Sequence, residues 1–150
     1  MVAKQASADE YACARAWVAL TAAHARLARL LAAALARQCG LAINEFELLL
    51  RLDQAGPAGL RLGELLSAVP LTQPALSRAV GRLAGRGLLV RAGAPGDGRG
   101  VVILLTEAGR QSLHAAIPVH AEVIRTALLD QLSRAEQDML VNVLGRIASA

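Results

Sequence analysis

The sequence predicts a mainly α-helical fold with one small β-hairpin that forms a wing. Residues 9–38 are rich in Ala, Leu and Arg and contain neither Pro nor Gly, which favours one long helix. Two short apolar, β-branched segments, 88–92 and 101–106, flank the glycine-rich sequence GAPGDGRG. This arrangement is typical of two antiparallel strands joined by a loop. Because hydrophobic residues make up 55% of the chain and aromatic residues only 2%, the core is expected to be aliphatic and alanine-rich, with closely packed helices.

The first two helices are predicted from apolar spacing and end signals. Within 9–38, one helical face presents apolar residues and one histidine: Leu20, His24, Leu27, Leu31 and Leu35. Gly40 is a plausible stop for this helix. A second helix is predicted to begin near Asn44, because Asn44 followed by Glu47 fits a capping box, and to end before the turn AGPAG at 55–59.

Two more helices precede the hairpin. A short one is predicted at 62–69 and ends at Pro70. Thr72 can cap the next, with Pro74 tolerated in its first turn. That helix should reach about Arg86, with Gly87 as its stop.

Two long helices follow the hairpin. Thr106 can cap the first, which is predicted to extend to about Gln131 and to be kinked or interrupted at Pro118. Ser133 and Glu136 form an S-x-x-E capping box, which predicts a last helix ending near Ile147.

Length and composition restrict the class of protein. A chain of 150 residues corresponds to about one domain. No stretch of roughly 18 residues lacks charge, so a transmembrane helix is not expected. The beginning of the chain shows no apolar segment followed by a small-residue cleavage site, which favours a cytoplasmic protein.

The two cysteines suggest neither a disulfide framework nor a zinc site. If Cys13 and Cys39 both lie on the first helix, they are roughly 39 Å apart, which excludes an intrachain bridge. His114 and His120 are six residues apart and do not share a helical face, so no metal site or other cofactor is expected.

The positive charge is concentrated in one segment. Residues 72–100 contain five arginines and one acid, so this segment accounts for the whole net charge of +4. A basic segment on an otherwise neutral body indicates a surface that binds a polyanion.

The helix beginning after Thr72 has two distinct faces. Leu76, Ala79, Val80 and Leu83 lie on one, whereas the opposite face bears small, polar and basic residues: Gln73, Ser77, Arg78, Gly81, Arg82 and Gly85. Small residues allow close approach to a surface, and Gln, Ser and Arg can donate to base edges and phosphates. With the short helix before it and the hairpin after it, this helix predicts a winged helix-turn-helix. The alternative is an ordinary amphipathic helix whose polar face meets water.

Three segments resemble the MarR family of bacterial winged helix-turn-helix transcriptional regulators. RLAGRGLLVR at 82–91 resembles the family's helix end and first wing strand. The Asp-Gly-Arg at 97–99 is similar to the Asp-x-Arg of its wing, and LLTEAGR at 104–110 resembles the exit from the second wing strand. The order and length of the helices also match over essentially the whole chain.

This resemblance implies a six-helix MarR-like homodimer that regulates transcription, as a repressor, by binding palindromic double-stranded DNA. It implies that 1–42 and 107–150 form a helical dimerisation region and that 43–106 form the DNA-binding lobe. The terminal helices support this independently, because they are too apolar to stand without a partner surface.

The resemblance also implies roles for individual residues. Arg99 should enter the minor groove, where a narrow groove attracts an arginine, and Asp97 should support it by a charge-assisted bond. Candidate base contacts are Gln73, Ser77 and Arg78. Candidate phosphate contacts are Thr72, Arg82 and Arg86.

Family members often bind a small anionic or aromatic ligand between the dimer helices and the DNA-binding lobe. The candidate ligand residues here are Arg15, Trp17, His24 and Phe46, although His24 lies on the apolar helix face and is better interpreted as a core residue.

Three alternatives to this function remain. The protein could be an oxidation-sensing regulator that uses Cys13. It could be a winged-helix module that binds protein instead of DNA. An enzyme is disfavoured, because the sequence lacks G-x-S-x-G, H-E-x-x-H and Walker motifs.

Overall fold

The computed structural model describes residues 7–93 and 101–149. Within these ranges, six α-helices and three short β-strands occur, as the sequence predicted for a mainly helical fold. The helices are α1 (Ala8–Cys39), α2 (Ile43–Ala55), α3 (Leu62–Ala68), α4 (Gln73–Gly85), α5 (Glu107–Ala127) and α6 (Arg134–Ala148). The strands are β1 (Leu60–Arg61), β2 (Leu89–Gly93) and β3 (Val101–Leu105).

The chain divides into two compact units. The central unit comprises Ala32–Glu122, and the terminal unit comprises Met1–Leu31 and Val123–Ala150.

The central unit contains a three-stranded antiparallel sheet in the order β1-β3-β2. The predicted hairpin is confirmed, with Leu89 opposite Leu105 and Gly93 opposite Val101. Strand β1 was not predicted, because two residues are too few to show an alternating pattern. Gly59 makes this pairing possible: it has a φ of +64°, and a Cβ there would lie 2.4 Å from the carbonyl oxygen of Ile103.

The core of the central unit is aliphatic, as the composition predicted. Its fully buried large side chains come from every helix of the unit and from β3. They are Leu35, Leu41, Leu48, Leu49, Leu52, Leu65, Leu76, Leu83, Ile103, Leu113 and Val80. Phe46 is also buried in this cluster.

Two of the predicted helix caps are confirmed, and a third is confirmed in position only. Thr72 occupies the N-cap position of α4, with Pro74 in the first turn, but its side chain makes no capping hydrogen bond. At the start of α5, the backbone N–H of Gly109 donates to Thr106 Oγ1 at 3.0 Å. At the start of α6, Ser133 and Glu136 form the reciprocal capping box.

The predicted cap of α2 is wrong. The N-cap residue is Ala42, and its N–H donates to Glu45 Oε2 at 3.1 Å, so Asn44 and Glu47 do not form the box. Leu41 is fully buried, and this burial places the start of the helix earlier than the local Asn-x-x-Glu pattern suggests.

The predicted interruption of α5 at Pro118 is also wrong, because the helix continues from Glu107 to Ala127. Proline removes one helical hydrogen bond, which is a local cost. Leu113 and Ala116 are fully buried and Val119 packs against the core, so tertiary packing on both sides of Pro118 outweighs that cost.

The terminal unit exposes much apolar surface. None of the described residues of α6 is buried, and Met139, Val141 and Ile147 are each at least 65% exposed. The first part of α1 likewise exposes Tyr11, Trp17, Val18, Leu20 and Leu30.

The predicted apolar face of α1 is buried only toward its C-terminal end. Leu31 and Leu35 are buried, but Leu20 and His24 are exposed, so the expectation of a core histidine fails in the single chain. By length and hydropathy alone, α1 could cross a membrane, a criterion that core helices of soluble proteins also meet.

Candidate nucleic-acid interface

Helices α3 and α4 form the helix-turn-helix. Helix α3 ends at Ala68. Its C-cap residue Val69 has an extended backbone, and the chain passes through Pro70 and Leu71 to the N-cap residue Thr72. The apolar residues of α4 lie on one side and are fully buried: Leu76, Ala79, Val80 and Leu83. Their burial turns the opposite face of α4 toward solvent.

That solvent-facing side contains the predicted base contacts. Gln73 and Arg78 are exposed, and Ser77 is half-buried. Arg78 forms no hydrogen bond or ion pair with any other residue that the structure describes, so its guanidinium is available for a ligand. Thr72, a candidate phosphate contact, is exposed at the beginning of the same helix.

The other two predicted phosphate contacts are already paired within the chain. Arg82 Nε donates to Glu45 Oε1 at 2.9 Å. Arg86 Nη1 donates to the carbonyl oxygen of Gly40 at 3.1 Å and lies 3.5 Å from Glu45 Oε2. The Arg82 and Arg86 side chains nevertheless remain 51% and 41% exposed, whereas that of Glu45 is only 6% exposed.

Glu45 is a site residue that sequence reasoning missed. It is the only charged residue buried within the described part of the chain. The available signal was an acid three residues after Ala42, in the first turn of α2. Nothing local indicated its arginine partners, since Arg82 is 37 residues away.

The base of the wing is attached firmly to the end of α4. Gly87, with a φ of +72°, ends the helix and turns the chain into β2. Thr106, which follows β3, bonds back to this turn: its hydroxyl donates to Gly87 O at 2.8 Å, and its N–H donates to Leu88 O at 3.1 Å. The predicted wing residues Asp97 and Arg99 lie outside the described residues.

The central unit also contains a cavity of ≈ 250 Å³. Its lining residues are Phe46, Glu47, Leu50, Arg51, Ala68, Val69, Pro70 and His120. The rings of Phe46 and His120 stack with their centroids 4.8 Å apart. Burial lowers the pKa of His120, and the nearby carboxylate of Glu47 opposes this shift.

Of the predicted ligand residues, only Phe46 lines this cavity. Arg15, Trp17 and His24 are exposed on α1, where Arg15 borders a shallow groove with Tyr11 and Val18. His120 was missed as a lining residue, because its contact with Phe46 depends on the packing of α5 against α2.

The cysteines occupy the expected element. Cys13 and Cys39 are both free and both lie on α1. Cys13 is exposed, but its oxidation-sensing role stays a prediction. Among residues 7–93 and 101–149, no group of His, Cys, Asp and Glu could hold a metal ion.

These elements together define a winged helix-turn-helix protein of the kind that binds DNA. A family model described as "MarR family" matches residues 40–100. The chain is similar to Sco3205, a MarR family transcriptional regulator from Streptomyces coelicolor solved in complex with DNA: identity is 29%, the match covers 97% of this chain and 90% of that one, and the TM-score is 0.83.

Two further solved structures are similar to the chain. The transcriptional repressor CouR, bound to a 23-mer DNA duplex, is 32% identical over 87% of this chain and 89% of that one, with a TM-score of 0.76. AbsC, a MarR family regulator from Streptomyces coelicolor, shares the fold at 24% identity over 98% of this chain and 97% of that one, with a TM-score of 0.83. No curated protein sequence matches the chain.

The chain therefore belongs to the MarR family, and it is a transcriptional regulator. Members of this family are regulators rather than enzymes, which removes the enzymatic alternative.

Proposed function

We propose that the protein is a homodimeric repressor that binds palindromic double-stranded DNA by placing α4 in the major groove. The observation that supports this most directly is the division of α4 into a fully buried aliphatic face and an exposed face with Gln73, Ser77 and Arg78. The repressor function is further supported by the similarity to CouR, which is described as a transcriptional repressor.

The residues of α4 divide into two roles under this proposal. Gln73, Ser77 and Arg78 contact base edges, because they are near the beginning of the helix, which is the end that enters the groove in helix-turn-helix proteins. Thr72, Arg82 and Arg86 contact phosphates and set the position of the helix on the duplex.

The wing completes each half-site. Arg99 inserts into the adjacent minor groove, where the negative potential is strongest when the groove is narrow. Asp97 supports Arg99 by a charge-assisted bond and does not contact DNA itself.

A second copy of the chain covers the exposed apolar side chains of the terminal unit. Residues 1–42 and 107–150 form this dimerisation region, and residues 43–106 form the DNA-binding lobe. Side chains such as Trp17 and Val141, at 66% and 71% exposed, lose their contact with water in a dimer, which is favourable. This assignment also accounts for the apolar character of α1 in a cytoplasmic protein without a membrane.

We also propose that a small anionic or aromatic ligand, bound in the Phe46–His120 cavity, releases the DNA. A planar ring can pack against the stacked pair, and Arg51 at the rim can bind an anionic group. The volume of ≈ 250 Å³ restricts the ligand to a small molecule.

The proposal is tested by selecting genomic fragments that the purified protein binds and then measuring Kd for the selected operator and for random DNA. If several phosphates are contacted, log Kd should rise linearly with log salt concentration, by about 0.9 per phosphate. Absent or salt-independent binding would contradict the proposal and favour the protein-binding module. Sedimentation of the free protein and an operator-linked reporter test the dimer and the repression separately.

A further inference from the structure

We propose that Glu45 is a positioning residue for DNA binding, which holds the guanidinium of Arg82 so that its outer N–H groups face a phosphate. This inference depends on the proposed function, because it concerns the same surface of α4. Glu45 itself does not contact DNA, since its side chain is only 6% exposed.

Both oxygens of the buried Glu45 carboxylate have hydrogen-bond partners. Glu45 Oε1 accepts from Arg82 Nε at 2.9 Å, and Oε2 accepts from the N–H of Ala42 at 3.1 Å. Arg86 Nη1 lies 3.5 Å from the same Oε2. A buried carboxylate is costly without such partners, so Glu45 requires the arginines in this geometry.

The carboxylate of Glu45 fixes the orientation of the Arg82 guanidinium. Arg82 donates to Glu45 through Nε, the guanidinium nitrogen nearest the helix backbone. Guanidinium is planar and has five donors in a rigid fork. When Nε is held by the carboxylate, the N–H groups on the opposite edge of the fork face away from Glu45, and the 51% exposure of the side chain makes them accessible to a phosphate.

Arg86 makes different contacts from Arg82. Its Nη1 is shared between Glu45 and the carbonyl oxygen of Gly40, which follows α1. In addition to its proposed phosphate contact, Arg86 thus ties the end of α4 to the α1–α2 connection and supports the carboxylate. Arg82, which bonds to Glu45 through Nε, is the one of the two that the carboxylate positions for a phosphate.

A positioned arginine strengthens binding because its side chain is ordered before the DNA arrives. Ordering one rotamer-rich side chain at an interface costs affinity, and Glu45 removes most of that cost for Arg82. A buried ion pair is weak evidence for a role in stability, which makes positioning the better explanation of a buried carboxylate beside the proposed DNA-binding surface.

The test compares Glu45→Gln, Arg82→Lys and the double variant, with Kd measured for operator DNA at several salt concentrations. Glu45→Gln should weaken operator binding roughly three- to tenfold, although it removes a negative charge. Arg82→Lys should weaken it by a similar factor although it keeps the positive charge, because one ammonium cannot bind carboxylate and phosphate in the same fixed geometry. The double variant should bind operator DNA only slightly more weakly than either single variant.

Glu136→Gln is the matched control. Glu136 is also the third residue of a helix, and it also accepts from the N-cap N–H, at 2.8 Å from Ser133 N, but its cap partner is a serine. This variant makes the same change in charge and loses the same kind of bond to the N-cap N–H. Because Glu136 lies in the proposed dimerisation region, sedimentation must first show that the variant is dimeric like wild type, and its operator Kd should then stay within about twofold of wild type.

Three outcomes would overturn the positioning role. In the first, Glu45→Gln binds operator and random DNA more tightly, which shows that Glu45 only neutralises charge. In the second, the effects of Glu45→Gln and Arg82→Lys on log Kd are additive, which shows a structural role alone. In the third, Arg82→Lys binds operator DNA with the Kd of wild type. This measurement tests the positioning role even if Glu45→Gln fails to fold. Wild-type protein that binds no DNA would instead refute the proposed function.

Discussion

Gly109 lies where α5 passes closest to the turn between α4 and β2, and replacing it with alanine should destabilise the protein. A Cβ at this position would lie 2.2 Å from the carbonyl oxygen of Leu88 and 2.7 Å from Leu105 Cδ1. Ordinary contacts begin at 3.4 Å, so the oxygen would have to move by about 1 Å. It cannot move freely, because it accepts from the N–H of Thr106 at 3.1 Å.

The magnitude follows from two opposing effects. Alanine favours the helix over glycine by about 1 kcal/mol. Overpacking against a fixed backbone costs about 1–3 kcal/mol, and the depth of this overlap places it at the upper end. The net loss is about 2 kcal/mol, which corresponds to a decrease in Tm of roughly 4–8 °C for a chain of this size.

Thermal unfolding followed by circular dichroism measures this effect, with Gly63→Ala as the control. Gly63 is also helical, but a Cβ there meets nothing within 4 Å, so only the gain in helix propensity applies and Tm should rise slightly. A Tm of Gly109→Ala at or above that of wild type would show that the contact with Leu88 does not constrain this position.

Three further predictions concern DNA binding and pH. Arg99→Ala should weaken operator binding at least several-fold in a fluorescence anisotropy titration while sedimentation shows an intact dimer; an unchanged Kd would contradict the wing assignment. Arg78→Ala should reduce the ratio of operator to random-DNA affinity more than Arg82→Ala does, and the difference should be about 1–3 kcal/mol per half-site. Equal ratios for the two variants would contradict the division into base and phosphate contacts. Because burial lowers the pKa of His120 below its usual 6.5, the unfolded chain binds the proton more tightly, so stability should fall as the pH decreases through 6.5 toward the folded pKa. The decrease in Tm from pH 7.5 to pH 5 should be smaller for His120→Gln than for wild type. An equal decrease in both proteins would exclude His120 as a source of the pH dependence.

Regular patterns along the chain were sufficient to predict most of the elements. The spacing of Leu76, Ala79, Val80 and Leu83 predicted which face of α4 is buried, and the structure confirms this with all four at 0% exposure. The hairpin was predicted correctly from its β-branched residues and flanking glycines. The resemblance in the wing segments was sufficient to predict the family.

Tertiary structure alone decided the arrangement of the candidate site. The pairing of Glu45 with Arg82 and the stacking of Phe46 on His120 join residues that are remote in sequence, so no local pattern indicates them. Packing also overrode local signals at Ala42, where buried Leu41 set the start of α2, and at Pro118, which lies inside a continuous helix. Periodicity in the sequence reports which side of an element faces the core, because that depends on the geometry of one helix or strand. Which side chains meet across the core depends on how several elements pack at once, and this is determined only in the folded chain.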